Sequence, residues 1–214
     1  MTTPGSSSIQ WVAVVPVKHL ARAKSRFSAR PANERAALAL AFAVDTVHMA
    51  MRCQDFVEVI VVTSDPVVRH AVEKLGCTWI ADEPDSGLNA AFERGSAHAR
   101  LTRSGVAIAA LAGDLPAVRS DELSRAVRAA AAVERGFIAD AAGTGTTLLT
   151  ALPGIELDPH FGPRSRAAHA ASGAIALEPG LTPGLRRDVD TEVDLWDAVR
   201  LGLGTATAAL ALGT

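Results

Sequence analysis

Trp11-Val12-Ala13-Val14-Val15-Pro16-Val17 is an unbroken apolar run that stops abruptly on Lys18-His19-Leu20-Ala21-Arg22-Ala23-Lys24-Ser25-Arg26. A short run without polar alternation marks a strand covered on both faces, as in a parallel sheet. The pattern recurs along the chain: Phe56–Val62, Thr78–Ala81, Val106–Ala112, Gly136–Ala139 and Thr146–Ala151 read as further strands. Ala-rich helical patterns fill the gaps at Asn33–Arg52, Pro66–Leu75, Leu88–Arg103 and Asp121–Glu134. A last helix, Thr191–Leu201, comes after Asp190 or Thr191 as N-cap, with Glu192 and Asp194 suited to its positive end. This β-α-β-α rhythm predicts an α/β fold with helices on both faces of a mostly parallel sheet. Ligands in such sheets sit beyond the carboxyl ends of the strands, so the strand-to-loop junctions carry the search for a site.

The 214 residues predict one domain over residues 10–214, behind a disordered leader at 1–9 whose Thr, Pro, Gly and Ser cannot bury apolar surface. The Gly- and Pro-rich stretch 152–187 reads as an excursion of that domain. With 21 Lys+Arg against 23 Asp+Glu, the formal net charge is -2, which argues against a broad nucleic-acid footprint. Aromatics are only 4% and Tyr is absent, so base-stacking platforms are hard to build. Cys53 and Cys77 show no metal-ligand spacing and read as reduced thiols of a cytosolic protein. The polar start lacks the basic residues of a signal, and no apolar stretch approaches the roughly 18 residues a membrane helix needs. A cytoplasmic protein without membrane partners is expected.

The common nucleotide and hydrolase signatures are missing: there is no GxGxxG after the first strand, no GxxxxGK[ST], no HExxH and no GxSxG. The first strand instead runs into a loop with four cations in nine residues, Lys18, Arg22, Lys24 and Arg26. Such a loop can neutralise a polyphosphate, or it is a solvated basic turn. Gly113-Asp114-Leu115-Pro116 places a carboxylate where a metal-bound phosphate would sit, although Asp is common in turns. In Arg187-Asp188-Val189-Asp190-Thr191, an extended backbone turns Asp188 and Asp190 to the same side. Like carboxylates side by side repel unless a cation lies between them, so with Asp114 they form a candidate Mg²⁺ site. The bland alternative makes Asp190 a helix cap.

Three weaker segments complete the set. Gly143-Thr144-Gly145-Thr146-Thr147 has the composition of an anion nest or of a turn. Phe161-Gly162-Pro163-Arg164-Ser165 opens a short helix at Arg166–Ser172 and could meet a phosphate. Asp82-Glu83-Pro84-Asp85-Ser86-Gly87-Leu88-Asn89 could read a nucleobase edge, with Ser86 capping the next helix. Asp45 and His48, in the first helix, read as the edge of a buried face. The apolar tail from Leu203 to Leu212 either folds back or packs onto a neighbour.

Taken in order, VPVKHLARAKSRF (Val15–Phe27), DEPDSGLNAAF (Asp82–Phe92), GDLPA (Gly113–Ala117), GTGTT (Gly143–Thr147), FGPRS (Phe161–Ser165) and DVDT (Asp188–Thr191) resemble the CofC/FbiD family of guanylyltransferases in coenzyme F-420 biosynthesis. The resemblance spans about residues 10 to 202. It implies a three-layer α/β/α sandwich of the MobA-like, GT-A type. It implies Asp114, Asp188 and Asp190 as metal-binding aspartates for one or two Mg²⁺, and Thr146, Gly162 and Ser165 as the site of a phosphorylated three-carbon acid. Lys18 and Lys24, with Arg26 beside them, would face the GTP phosphates, and Asn89 would contact the nucleotide. His19 stands where the family more often has a basic residue. The implied reaction joins GMP from GTP to the phosphate of phosphoenolpyruvate and releases pyrophosphate. The acceptor phosphate is ionised near neutral pH and needs no general base, so catalysis becomes positioning and charge neutralisation. Its product would pass to a downstream transferase, and a homodimer is compatible with the sequence. Acceptance of 2-phospho-L-lactate or another small phosphorylated acid is the nearest alternative; a non-catalytic nucleotide-binding module is a distant one.

Overall fold

The computed structural model describes residues 9–211. Seven strands and eight α-helices make up the described chain, with one short 3-10 turn at Leu20–Arg22. They are β1 (Trp11–Pro16), α1 (Ala32–Met51), β2 (Phe56–Val62), α2 (Pro66–Lys74), β3 (Thr78–Ile80), α3 (Leu88–Thr102), β4 (Ala107–Leu111) and α4 (Ser120–Ala130). Next come β5 (Arg135–Ala139), β6 (Thr146–Ala151), α5 (Ser165–Ala171), β7 (Ile175–Ala176), α6 (Pro183–Arg186), α7 (Glu192–Leu201) and α8 (Thr205–Ala211).

The strands form one sheet in the order β3-β2-β1-β4-β6-β5-β7. Only β6 runs against the rest, antiparallel to both β4 and β5. That reversal has a functional consequence: the first residue of β6, Thr146, lies beside the last residues of its neighbours.

Alternation along β1 sorts the core into two layers. Trp11, Ala13 and Val15 face a cluster with Ala43 and Val47 of α1, Val68 of α2 and Leu123 of α4. Val12 and Val14 face the opposite cluster with Ala91, Phe92 and Ala99 of α3. Val12, Val14, Val15 and Ile60 are fully buried, so each side chain contributes roughly 1.5–3 kcal/mol of burial. The three layers are therefore α/β/α, as the sequence predicts. Gly95 lets α3 lie close on β1, because a Cβ there would overlap Val14 Cγ1.

A third cluster joins Phe27, Leu38, Phe42, Val189 and Leu195, with Leu203 and Ala211 against it. The tail thus folds back onto α1; Leu212 lies outside the described residues. Asp45 directs this: its buried carboxylate accepts N–H bonds from Ala206 at 3.0 Å and Thr207 at 2.8 Å, capping α8. The expectation that Asp45 edges a buried face holds, with this added duty.

Several boundaries differ from expectation. The fourth helix ends at Ala130 rather than Glu134, because Ala131–Glu134 turn the chain directly into β5. The 152–187 stretch contains α5, α6 and the edge strand β7, whose two residues are too few to show a period. The residue before α3 is Gly87, at φ 103°, and not Ser86, whose N–H instead closes a turn onto Pro84. Thr191, not Asp190, caps α7, accepting from the Asp194 N–H. The expected leader falls, except for Ile9, outside the described residues.

Candidate active site

The carboxyl ends of β1, β4 and β5 and the start of β6 open onto one cleft of about 660 Å³. Its lining includes Lys18, Lys24 and Arg26 from the loop after β1, Asp114 after β4, and Asp140 after β5. Thr146, Gly162, Ser165, Asp188 and Asp190 also line it. Nine of the ten residues singled out from sequence are thus in one place. The tenth, Asn89, does not line the cleft.

Each side chain is held there by its backbone. Leu115 N–H donates to Thr46 Oγ1 of α1 at 3.0 Å, fixing the Gly113–Pro116 turn. Val189 N–H donates to the Asp114 carbonyl at 3.1 Å and its side chain is fully buried, so Asp188 and Asp190 both face the cleft. The i, i+2 spacing does what extended geometry requires. The loop after β1 is tied by Leu20 N–H to Asp65 Oδ2 at 3.0 Å, while Asp65 Oδ1 caps α2.

The cations are already committed to carboxylates. Lys24 Nζ is 2.6 Å from Asp114 Oδ2 and 3.1 Å from Asp190 Oδ1, with only 9% of its side chain exposed. Burial works against its charge, but Asp114 and Asp190 outweigh burial and raise its pKa. Lys24 also adopts a left-handed backbone, φ 53°, uncommon outside glycine. Arg26 reaches Asp190 at 3.1 Å. Lys18 bridges Asp82 at 2.6 Å and Asp85 at 2.8 Å, tying the first loop to the segment after β3.

Asp188 is in the opposite situation. Burial first, then Asp114, Asp190 and Asp140, push its carboxyl up to about 7. The cleft holds more negative charge than Lys24 neutralises, and hard oxygen donors in such surplus suit a divalent cation. Among the described residues, no three His, Cys, Asp or Glu groups are spaced to hold a metal ion. Lys24 stands between the carboxylates instead. The donor chemistry fits a hard cation; the present spacing belongs to an ammonium.

The Gly143–Thr147 turn is a nest whose occupant is internal. Asp140 Oδ1 accepts from Thr144 N–H and Oδ2 from Gly145 N–H, both at 2.8 Å. Those two amides are therefore spent on Asp140, and of the two readings of this run the structure shows the turn. Arg186 anchors the same turn through the carbonyls of Ala139 and Asp140 at 3.1 Å.

Asn89 has a structural task. Its Oδ1 accepts from Phe161 N–H at 2.7 Å and its Nδ2 donates to the Phe161 carbonyl at 3.1 Å. Phe161 stacks on Phe92 with ring centroids 4.2 Å apart. The next residue, Gly162, sits at φ 139°, which only glycine adopts freely, and the chain turns there into α5. Asn89 so positions the loop of Gly162 and Ser165 rather than facing the cleft itself.

Two residues that the sequence reading passed over belong to this site. Asp140 is one; a carboxylate ending a strand just before a Gly-rich turn was the available cue. His169 is the other, four residues after Ser165 on α5 and fully buried. Burial, then His160 and Arg135, lower its pKa to about 4, so the ring is neutral.

The MobA-like NTP transferase domain matches residues 28–173. The phosphoenolpyruvate guanylyltransferase of Thermomonospora curvata is 49% identical over 209 residues, covering 98% of this chain and 92% of that protein. Among solved structures, a Desulfovibrio desulfuricans G20 protein described as a nucleotide-diphospho-sugar transferase superposes with TM-score 0.68 at 13% identity, covering 95% and 94% of the two chains. The manganese complex of Rv0371c from Mycobacterium tuberculosis H37Rv has the same fold, with TM-score 0.52, 19% identity and coverage of 91% and 99%. No helix among the described residues is long and apolar enough to cross a membrane. The strand order, the cleft at the strand ends and these similarities agree: the chain is a nucleotidyltransferase of the MobA-like NTP transferase family and belongs with the phosphoenolpyruvate guanylyltransferases.

Proposed function

We propose that this chain moves GMP from GTP onto the phosphate of phosphoenolpyruvate, giving enolpyruvyl-diphospho-guanosine and pyrophosphate. The observation that carries this reading is the single cleft in which Asp114, Asp188 and Asp190 meet Lys18, Lys24 and Arg26 on one side and Thr146, Gly162 and Ser165 on the other. Its relatives' name gives the acceptor.

In this reading an oxygen of the acceptor phosphate bonds to the α-phosphorus of GTP, and the bond from that phosphorus to the bridging oxygen breaks. The electron pair leaves with pyrophosphate. Lys18 and Arg26 neutralise charge on the departing phosphates, and the Thr146 and Ser165 hydroxyls orient the acceptor. Asp114, Asp188 and Asp190 would hold one or two Mg²⁺, which supply further neutralisation of the phosphates when bound. Lys24 would release the carboxylates it now bridges and turn to the nucleotide. Residues 10–214 act as one domain in the cytoplasm, alone or as a homodimer, and a downstream transferase consumes the product.

The test is pyrophosphate release by the purified chain with GTP and Mg²⁺, using phosphoenolpyruvate and 2-phospho-L-lactate in separate reactions. Release with phosphoenolpyruvate is expected. Release only with 2-phospho-L-lactate reassigns the acceptor, and release with neither rejects the reading.

A further inference from the structure

His169 lies beneath the acceptor side of the cleft, and both of its ring nitrogens are engaged. Nδ1 is 2.9 Å from Thr146 Oγ1, and Nε2 accepts from the His160 backbone N–H at 2.9 Å. A backbone N–H can only donate, so Nε2 carries no proton and the neutral ring is the Nδ1–H tautomer. Nδ1–H therefore donates to Thr146 Oγ1. The Thr146 hydroxyl, having accepted that bond, keeps its own proton to give away. Among the described residues it has no other hydrogen-bond partner, and Thr146 lines the cleft.

The second nitrogen acts on the loop. The His160 N–H bond to Nε2 and the two Asn89 bonds to Phe161 pin successive residues just before Gly162. The Phe161 ring meets the imidazole edge-on, with centroids 5.0 Å apart. Ser165 precedes His169 by one helical turn. One buried imidazole thus touches Thr146 and the two residues that lead into Gly162.

We propose that His169 is a positioning residue: it holds the Thr146 hydroxyl as an obligate donor toward an anionic oxygen of the acceptor, and it sets the entry of the Gly162 loop. A protonated ring would oppose Nε2–H to the His160 N–H, donor against donor, so the arrangement works only with a neutral imidazole. Burial and the neighbouring His160 and Arg135 favour that form, with Asp158 as the opposing charge. The part concerning the acceptor rests on the function proposed above; the tautomer and the two hydrogen bonds do not.

Two variants separate the two nitrogens. In His169→Asn the amide can still donate to Thr146 but cannot reach the His160 N–H. In His169→Gln the amide oxygen can meet the His160 N–H but leaves Thr146 unpartnered. Imidazole ¹⁵N NMR of the full-length chain should show the Nδ1–H tautomer, unchanged across about pH 5.5 to 8. His169→Gln should raise the acceptor KM about tenfold while the GTP KM stays at the wild-type value. Thr146→Val should do the same, and the double variant should lose no more than either single one, since both remove the same donor. His169→Asn should keep an acceptor KM closer to wild type than His169→Gln does. An Nε2–H tautomer, or fully additive losses in the double variant, would overturn the proposal. If wild type turns over neither acceptor, the functional reading fails by itself, and the tautomer still decides whether His169 donates to Thr146.

Discussion

The Lys24 ammonium lies 2.6 Å from Asp114 Oδ2, a carboxylate 90 positions away in sequence, and bridges it to Asp190. A lysine so placed sets a positive charge between two carboxylates from separate segments. It lowers the repulsion among carboxylates that the fold has forced together.

Replacing Lys24 by Met removes that internal competitor. In the absence of nucleotide, Mn²⁺ should bind Lys24→Met several-fold more tightly than wild type, roughly the gain from losing one adjacent cation. Turnover should nevertheless fall at least about tenfold, because the cation is no longer available to the phosphates. Titration calorimetry with Mn²⁺ and a pyrophosphate assay read the two effects separately. Unchanged Mn²⁺ affinity would contradict the competition.

Asp188→Asn tests the surplus charge. Above the carboxyl's raised pKa of about 7, this substitution removes a charge that Asp114, Asp190 and Asp140 repel. In EDTA at about pH 8 the variant should melt higher than wild type, while turnover with Mg²⁺ drops on the order of a hundredfold or more. A lower Tm together with lost activity would mean Asp188 supports the fold rather than the chemistry.

His169 makes a signed contribution to acid sensitivity. The unfolded ring takes a proton near 6.5, but the folded one only near 4. Between those values the unfolded chain binds more protons, so stability is complete above about 6.5 and is lost as pH falls toward 4, by up to ~3 kcal/mol. Urea midpoints measured across that window should fall more for wild type than for His169→Gln, whose amide does not titrate. Parallel curves for the two proteins would remove the ring from the account.

Asp45→Ala should release α8. It leaves the Ala206 and Thr207 amides without their acceptor and is expected to cost about 1–3 kcal/mol. Hydrogen exchange should accelerate at residues 205–211, with activity unchanged because α8 does not line the cleft. A uniform rise in exchange across the sheet would instead mean the tail stabilises the whole fold.

The layers and the strand ends were legible in the amino-acid pattern alone. Runs such as Trp11–Pro16 and Ala107–Leu111 have no solvent face, and a strand with no solvent face must be covered on both sides. The aspartates were legible too: the i, i+2 spacing about Val189 turns Asp188 and Asp190 to one side, and burial of Val189 fixes which side that is. Even Thr146 stood out as a candidate, through its family-like turn. Its partner did not. His169 looked like any histidine on an Ala-rich helix, because only α5 packing beneath the start of β6 brings its ring to the Thr146 hydroxyl. The same holds for Asp140, which reads as a loop acid until the Gly143–Thr147 turn closes over it, and for Asn89, whose partner lies 72 positions away. Lys24 among the carboxylates belongs to this class too. Local patterns come from covalent neighbours and solvent exposure. The partners of a buried polar group are set by which segments the sheet places side by side, and that is fixed only when β6 runs back between β4 and β5.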